Sequence, residues 1–144
     1  MADQPARGYA IDELSVGMSA TYERVVSVAD IEAFAAVSGD HNPVHLDEDY
    51  AKTTRFKGRI AHGMLGASFI STAIASKLPG PGSIYLAQSL SFKAPVRPGD
   101  KLAAVITVAE IVRDKNRVVL KTQCRVGETV VIDGEATVLV PPKS

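Results

Sequence analysis

Residues 60–76 contain no aspartate, glutamate, lysine or arginine, and this uncharged stretch restricts the possible folds more than any other feature. A helix predicted over residues 62–78 would carry apolar side chains that do not keep to one stripe: Met64, Leu65, Phe69, Ile70, Ala73 and Ile74. A helix without a charged face must be covered by protein on nearly all sides. The stretch is too short, and too rich in Gly, Ser, Thr and Ala, to be a transmembrane span. We therefore predict a central, buried helix.

The chain after this helix is dominated by strand-like patterns, over residues 84–94, 102–112, 118–126 and 130–138. In the first run the alternate positions are apolar except for Gln88, and in the last run they are Val130, Ile132, Ala136 and Val138. Short, turn-rich segments separate the runs, and short connections favour antiparallel neighbours. We predict an α+β fold in which a mostly antiparallel sheet wraps around the central helix.

The first half of the chain carries the signals of a capped helix. A short strand is predicted over residues 18–26, and Ser27 followed by Asp30 is typical of a helix start. The apolar stripe of this helix would be Ile31, Phe34, Ala35 and Val37. Gly39 suits a left-handed exit, which ends the helix one residue before Asp40.

A constrained loop is expected to follow over residues 40–44. Pro43 disfavours helical geometry at Asn42, which supports this interpretation. Asp47 could then cap a short helix that runs through Ala51.

The composition excludes several classes of protein. Sixteen basic and sixteen acidic residues cancel, so no net field attracts nucleic acid or an anionic membrane. A single cysteine, Cys124, excludes an internal disulfide framework and fits a reducing cytosol. The acidic, weakly apolar N-terminus does not resemble a secretory signal. We expect a cytoplasmic protein with a loose tail over residues 1–8 and a single domain over residues 9–144.

Two short motifs give the sequence a family resemblance. DHNPVH, residues 40–45, is followed by AHGML, residues 61–65, and this order resembles the hydratase signature of MaoC-like proteins. The stretches GSIYL, QSLSFK and PV, between residues 82 and 96, are similar to single-domain (R)-specific enoyl-CoA hydratases. The resemblance covers roughly residues 14–140. It implies a hotdog fold, usually dimeric, and the hydration of trans-2-enoyl thioesters to (R)-3-hydroxyacyl thioesters.

The residues of the two motifs fit this chemistry. Water addition to a conjugated thioester needs a base for the water, a proton for the α-carbon, and stabilisation of the enolate-like oxygen. Asp40 is the natural base, and His45 can position the same water and share its proton. Asn42 can offer its amide to the loop or to the water. Gly63, in the first turn of the buried helix, can present a free N–H as an oxyanion hole, a role that the resemblance also assigns to it.

The acyl path is less defined by the sequence. Met64 and Leu65 are expected to affect pocket depth, and Ser71 matches a serine often placed near the site in relatives. Gln88 could hydrogen-bond within the core or line the acyl path, and the pattern leaves both open. Exposed Lys93 and Arg97 could contact CoA phosphates or be solvated.

Other interpretations compete with a hydratase acting on enoyl-CoA for polyhydroxyalkanoate synthesis. The same chemistry in reverse would make a (3R)-hydroxyacyl-acyl-carrier-protein dehydratase, and a non-catalytic acyl-thioester-binding module would not need Asp40 and His45. Asp40 could merely cap a turn, or could bind a metal with His41 and His45, whereas His62 is expected to support the helix start. We predict no metal or other cofactor. Apolar residues on both faces of 101–112 favour a homodimer joined through the sheet.

Overall fold

The computed structural model describes residues 7–141, which form one antiparallel sheet and four helices. The helices are α1 (Val28–Ser38), α2 (Pro43–Leu46), α3 (Glu48–Ala51) and α4 (Gly63–Ser76). The strands are β1 (Ser19–Val25), β2 (Ile84–Phe92), β3 (Lys101–Val112), β4 (Arg117–Val126) and β5 (Thr129–Leu139). Single 3-10 turns lie at Ile11–Glu13 and Arg113–Lys115. Within the described range, no helix has both the length and the apolar character needed to cross a membrane.

The strand order is β1-β3-β4-β5-β2, and every neighbouring pair is antiparallel. The predicted antiparallel pairing of neighbours is confirmed for the last three strands. The expectation that neighbours in sequence also pair is wrong for β2 and β3, because β2 pairs with β5 at the far edge. The segment that connects β2 to β3 bonds other parts of the chain. Lys93 N–H donates to the Val131 carbonyl of β5, and the Val96 carbonyl accepts from the Ala61 N–H before α4.

Helix α4 packs on one face of the sheet, and part of its surface is left uncovered in the single chain. Seven of its residues are buried, namely Leu65, Gly66, Ala67, Phe69, Ile70, Ala73 and Ile74. Gly63, Met64 and Ala75 on its other side are exposed in the single chain. The expectation of protein on nearly all sides is therefore wrong for one chain. Small and hydroxylated residues, rather than charges, occupy the outer side, so the helix remains uncharged without being enclosed.

The core follows the predicted alternation on β4, where Val118, Leu120, Thr122 and Cys124 point inward. Strand β2 differs because it is an edge strand, and its Ile84, Leu86 and Phe92 are 44–54% exposed. Strand β5 carries a bulge where the partner of Cys124 is Ile132 but the partner of Arg125 is Val130. The extra residue, Val131, is buried next to Ile132, whereas Val130 is only half-buried.

The predicted caps of the first half are confirmed. The Ser27 side chain accepts from the Asp30 N–H at 3.0 Å, and Gly39 leaves α1 with φ 82°. The prediction that Val37 belongs to the apolar stripe of α1 is wrong, because its side chain is 85% exposed. Of the predicted tail, residues 1–6 lie outside the described range and Gly8 is buried.

The predicted loop over 40–44 is shorter than expected. Pro43 occupies the first position of α2, where its missing N–H costs no hydrogen bond. The Asn42 side chain accepts from the Val44 N–H at 3.2 Å, so the helical turn begins before the loop was expected to end. Asp47 caps α3 through the Tyr50 N–H, as predicted.

Candidate active site

Three ionisable side chains from two distant segments meet at one end of the sheet. One carboxylate oxygen of Asp40, one ring nitrogen of His45 and one ring nitrogen of His62 all lie within 4.8 Å of one another. Asp40 and His45 flank the turn that follows α1, whereas His62 immediately precedes α4. His62 Nε2 lies 3.0 Å from the backbone carbonyl oxygen of Asp40, and this contact ties the two segments together. The exposed His41 bonds the Gly39 carbonyl and is not part of this cluster.

The His45 ring is buried and has a defined tautomer. Its Nδ1 lies 2.8 Å from the Ile60 carbonyl oxygen, which can only accept, so Nδ1 carries the hydrogen. In the neutral ring, Nε2 then has a free lone pair. Burial lowers the pKa of His45, and nearby His62 lowers it further, although the Ile60 carbonyl and Asp40 oppose the shift. His45 is therefore a neutral proton acceptor near pH 7.

Asp40 is exposed, and its carboxylate accepts one hydrogen bond from the surrounding loop. Oδ1 accepts from the Asn42 N–H at 3.2 Å, and the Asp40 N–H donates to Ser38 Oγ. The second carboxylate oxygen is left for a water or substrate. Asn42 uses its own side-chain oxygen to cap α2, so its contribution to the site includes shaping the loop.

A cavity of about 420 Å³ opens beside this cluster. Asp40, His45, His62 and Gly63 line one part of it, and the remaining wall is mostly apolar, with Phe56, Ile60, Phe92 and Ile132 among its residues. Gly63 begins α4, and its N–H finds no acceptor within residues 7–141. A Cβ at this position would lie 2.7 Å from two carbons of the Phe92 ring. Gly63 thus brings a free amide and a close aromatic contact to the same wall.

A second, more apolar cavity of about 550 Å³ lies between the outer side of α4 and β2. Ser71 and Gln88, both predicted near the substrate, line it, and Met64 lines both cavities. Gln88 also bonds Thr122 Oγ1 at 2.9 Å, so its side chain makes the predicted hydrogen bond within the core and at the same time lines this cavity. Leu65 lines neither cavity, because its side chain points from α4 into the core, where it is 7% exposed.

Sequence reasoning missed much of the first cavity's wall. Phe92 was expected on a core-facing strand, and Ile132 was assigned only to the core. Arg55, together with Lys93, adds positive charge to the lining, whereas Arg97 donates to the Phe56 carbonyl at 2.6 Å and does not line the cavity. No local pattern distinguishes these residues, because their proximity depends on how the segment between α3 and α4 crosses the end of the sheet.

Comparison with known proteins identifies the family of the chain. The family model described as a MaoC-like domain matches residues 14–131. The chain belongs to the MaoC-like family. An (R)-specific enoyl-CoA hydratase of Rhodospirillum rubrum is 52% identical over 132 residues, which cover 92% of this chain and 92% of that protein. A mitochondrial 3-hydroxyacyl-acyl-carrier-protein dehydratase of Arabidopsis thaliana is 39% identical over 132 residues, covering 89% and 78%.

A solved MaoC-like structure shares the architecture. The (R)-hydratase from Aeromonas caviae involved in PHA biosynthesis superposes with a TM-score of 0.86 at 45% identity, covering 89% of this chain and 98% of that one. The α+β hotdog fold implied by the sequence resemblance is confirmed.

Proposed function

We propose that this MaoC-like protein is an (R)-specific enoyl-CoA hydratase, a hydro-lyase that adds water to trans-2-enoyl-CoA. The observation that carries the proposal is the meeting of three groups on one cavity wall: the Asp40 carboxylate, the neutral His45 ring and the unpaired Gly63 N–H. Together they supply the base, the proton path and the oxyanion donor that the reaction needs. A binding module without catalysis would have no use for this combination.

The proposed reaction uses one water molecule. Asp40 accepts a proton from the water while the water oxygen bonds to C3, and the double-bond electrons move toward C2 and the thioester carbonyl. His45 positions the water through its Nε2 lone pair and shares the proton. The proton then returns to C2, so the water supplies both the hydroxyl and the new hydrogen. Asn42 keeps the Asp40 loop in shape through its bond to Val44.

The thioester oxygen is proposed to bind the Gly63 N–H. This amide has no acceptor among residues 7–141, and it lies at the start of α4, where the helix dipole favours developing negative charge. A donor of this kind contributes about 3 kcal/mol to transition-state stabilisation in other enzymes. Because the carbonyl is fixed on one side and the acid/base pair comes from a single loop, water and proton should reach the same face, which gives syn addition.

The acyl chain is proposed to pass Met64 toward the second cavity. Met64 lines both cavities, and Ser71 and Gln88 line the second one, which has few polar atoms to repel a hydrocarbon. Leu65 would affect the acyl path only indirectly, by packing α4 against the sheet. The product fits a supply route from β-oxidation to polyhydroxyalkanoate synthesis in the cytoplasm, a role favoured by the involvement of the similar Aeromonas caviae hydratase in PHA biosynthesis.

We also propose that the active form is a homodimer. Edge strand β2 exposes Ile84, Leu86 and Phe92, and the outer side of α4 leaves Met64 uncovered in the single chain. Unpaired strand edges with apolar side chains favour pairing with a second copy. Sedimentation at micromolar concentration should give the mass of a dimer, and a stable monomer would rule this out.

The decisive experiment follows crotonyl-CoA hydration with matched variants. Asp40→Asn removes the base and His45→Gln removes the proton acceptor, so each should lower kcat by roughly two to four powers of ten. The double variant should lose less than the product of the single losses, because the two groups act as a unit. A folded Asp40→Asn protein with a normal rate would refute the assignment.

The stereochemistry and the carrier complete the test. An (R)-specific synthase should consume the product, whereas an (S)-specific dehydrogenase should not. The reverse reaction on acyl-carrier-protein substrates is the alternative, favoured by the 39% identical Arabidopsis thaliana dehydratase. A carrier-protein substrate with a kcat/KM well above that of its CoA counterpart would select that alternative.

A further inference from the structure

We propose that His62 is a positioning residue of the hydratase site. From the start of α4, its side chain fixes the position of the Asp40 backbone relative to the His45 ring. This inference rests on the proposed function, because it gives a role to a side chain outside the acid/base pair. His62 is 3% exposed, directly precedes Gly63, and contacts both members of the pair.

The hydrogen bond from His62 to Asp40 has a definite direction. The partner of Nε2 is the Asp40 backbone carbonyl, which only accepts, so Nε2 must carry a hydrogen. Nδ1 is buried and finds no partner among the described residues. A hydrogen on Nδ1 would be a buried donor without an acceptor, which is costly. Both observations place the single proton of the neutral ring on Nε2, where it bonds Asp40.

This bond connects an exposed loop to the buried core. Asp40 and its neighbours His41 and Asn42 are exposed, and the side-chain contacts of Asp40 itself are made within the loop. The bond from His62 joins two residues that lie 22 positions apart in the chain, and His62 itself is buried directly before α4. Without it, the carboxylate would keep its chemistry but lose its fixed distance from the Gly63 amide.

The second contact of His62 is a ring stack. The His62 and His45 rings lie 3.9 Å apart between centroids at 28°, and the ring of Phe34 of α1 contacts the His62 ring at 4.9 Å between centroids. The stack covers one face of His45 and thereby contributes to the burial that lowers the pKa of His45. His62 therefore joins α1, the Asp40 loop, α2 and α4 at a single point.

Several charged or titratable groups approach His45, and a test must account for all of them. Asp40 faces it from the loop after α1 and His62 from the start of α4. Arg59 donates to the His45 backbone carbonyl at 2.7 Å from the segment before α4. Two further cations, Arg55 and Lys93, line the same cavity. Among these groups, all within residues 7–141, only His62 stacks on the ring, so its replacement can be distinguished from changes at the others.

Two substitutions separate the two contacts. His62→Phe keeps a ring against His45 but removes the Nε2 donor, and His62→Gln keeps a donor of similar reach but removes the ring. We expect His62→Phe to lower kcat on crotonyl-CoA roughly 10- to 100-fold, as a small misplacement of a reacting group does. The acidic limb of its pH–rate profile should move less than that of His62→Gln, because the ring that helps to bury His45 remains and only the electrostatic effect of the second imidazole is lost. His62→Gln should lose less kcat, and its acidic limb should move to higher pH, toward the ordinary value of a solvated histidine.

The matched control is His41→Gln, which changes an exposed histidine of the same loop that bonds only the Gly39 carbonyl. It should leave kcat and the pH profile within about twofold of the parent protein. Folded His62 variants with parental kcat and an unmoved acidic limb would overturn the positioning role, although the hydratase activity of the parent protein would still stand. Equal losses in the His41 and His62 variants would also overturn it.

A measurement on the unmodified protein keeps the inference testable if the variants fail to fold. Nitrogen NMR of the His62 ring should show a hydrogen on Nε2 that exchanges slowly with solvent, because its donor is buried and bonded. A ring protonated on Nδ1 alone would contradict the bond to Asp40 and, with it, the proposed role.

Discussion

Replacing Gly63 by alanine tests the oxyanion donor against the packing of the same residue. The new Cβ would lie 2.7 Å from Cδ1 and Cε1 of Phe92, whereas carbon atoms prefer about 3.5–4.0 Å. The ring must therefore retreat by about an ångström. Phe92 is the last residue of β2 and is 53% exposed in the single chain, so the core of its own chain does not hold the ring in place. The cost in unfolding free energy should stay near the low end for overpacking, about 1 kcal/mol, or about 3 °C in Tm.

The expected effect on activity is much larger than this. If the Gly63 N–H binds the thioester oxygen, a methyl group beside it keeps the carbonyl away, and losing one such donor lowers kcat by roughly 10²- to 10³-fold. The assay is initial-rate hydration of crotonyl-CoA, with Tm measured on the same samples. A large loss of kcat with a small loss of Tm is the predicted combination.

A double-mutant cycle with Phe92→Ala separates the two causes. Phe92→Ala removes the ring that the new methyl group would push aside, but leaves the methyl group next to the amide. Gly63→Ala in that background should therefore still lower kcat by a similar factor. If the double variant is as active as Phe92→Ala alone, the methyl group acts only through the ring. That result, or a Gly63→Ala protein within threefold of parental kcat, would refute the oxyanion argument.

Five further predictions follow from charge, packing and cofactor use. Because the pKa of His45 is lowered below its ordinary 6.5, kcat/KM should stay high below pH 6.5. The unfolded chain binds this proton first as the pH falls, so His45 should stabilise the fold fully above about pH 6.5 and progressively less below it in denaturant titrations. If the cavity-lining cations Arg55 and Lys93 bind the phosphates of the carrier, Arg55→Ala and Lys93→Ala should each raise KM for crotonyl-CoA several-fold. KM for the N-acetylcysteamine thioester, which has no phosphate, should not change. Equal effects on both substrates would exclude phosphate binding by these cations. Gly134→Ala should lower Tm by several degrees, because any Cβ collides with the Ser89 carbonyl and separates β2 from β5. An unchanged Tm would contradict the pairing register of β2 and β5. Treatment with a chelator should leave hydration intact, and activity that depends on stoichiometric zinc would favour a metal site instead.

Part of this structure could be predicted because its causes are local. The Ser27–Asp30 capping box and the Gly39 exit join groups within four residues, so their residue types and spacing are sufficient evidence. The alternation on β4 is equally local, since successive side chains of any strand point to opposite faces. The same argument placed Asp40 just beyond the helix end. The family motifs then supplied candidate chemistry for the loop before any contact was known.

Strand partners and the completed site depend on the tertiary structure. An alternating pattern states that a strand has two faces, but it does not state which strand lies beside it, so β2 at the open edge had the same pattern as a core strand. His62 illustrates the same limit within the site. Its stack on His45 and its bond to Asp40 require α4 to meet the loop after α1, and the sequence does not encode that meeting in any spacing. Side chains far apart in the chain become neighbours only when burial of the whole apolar core selects one arrangement of helix and sheet.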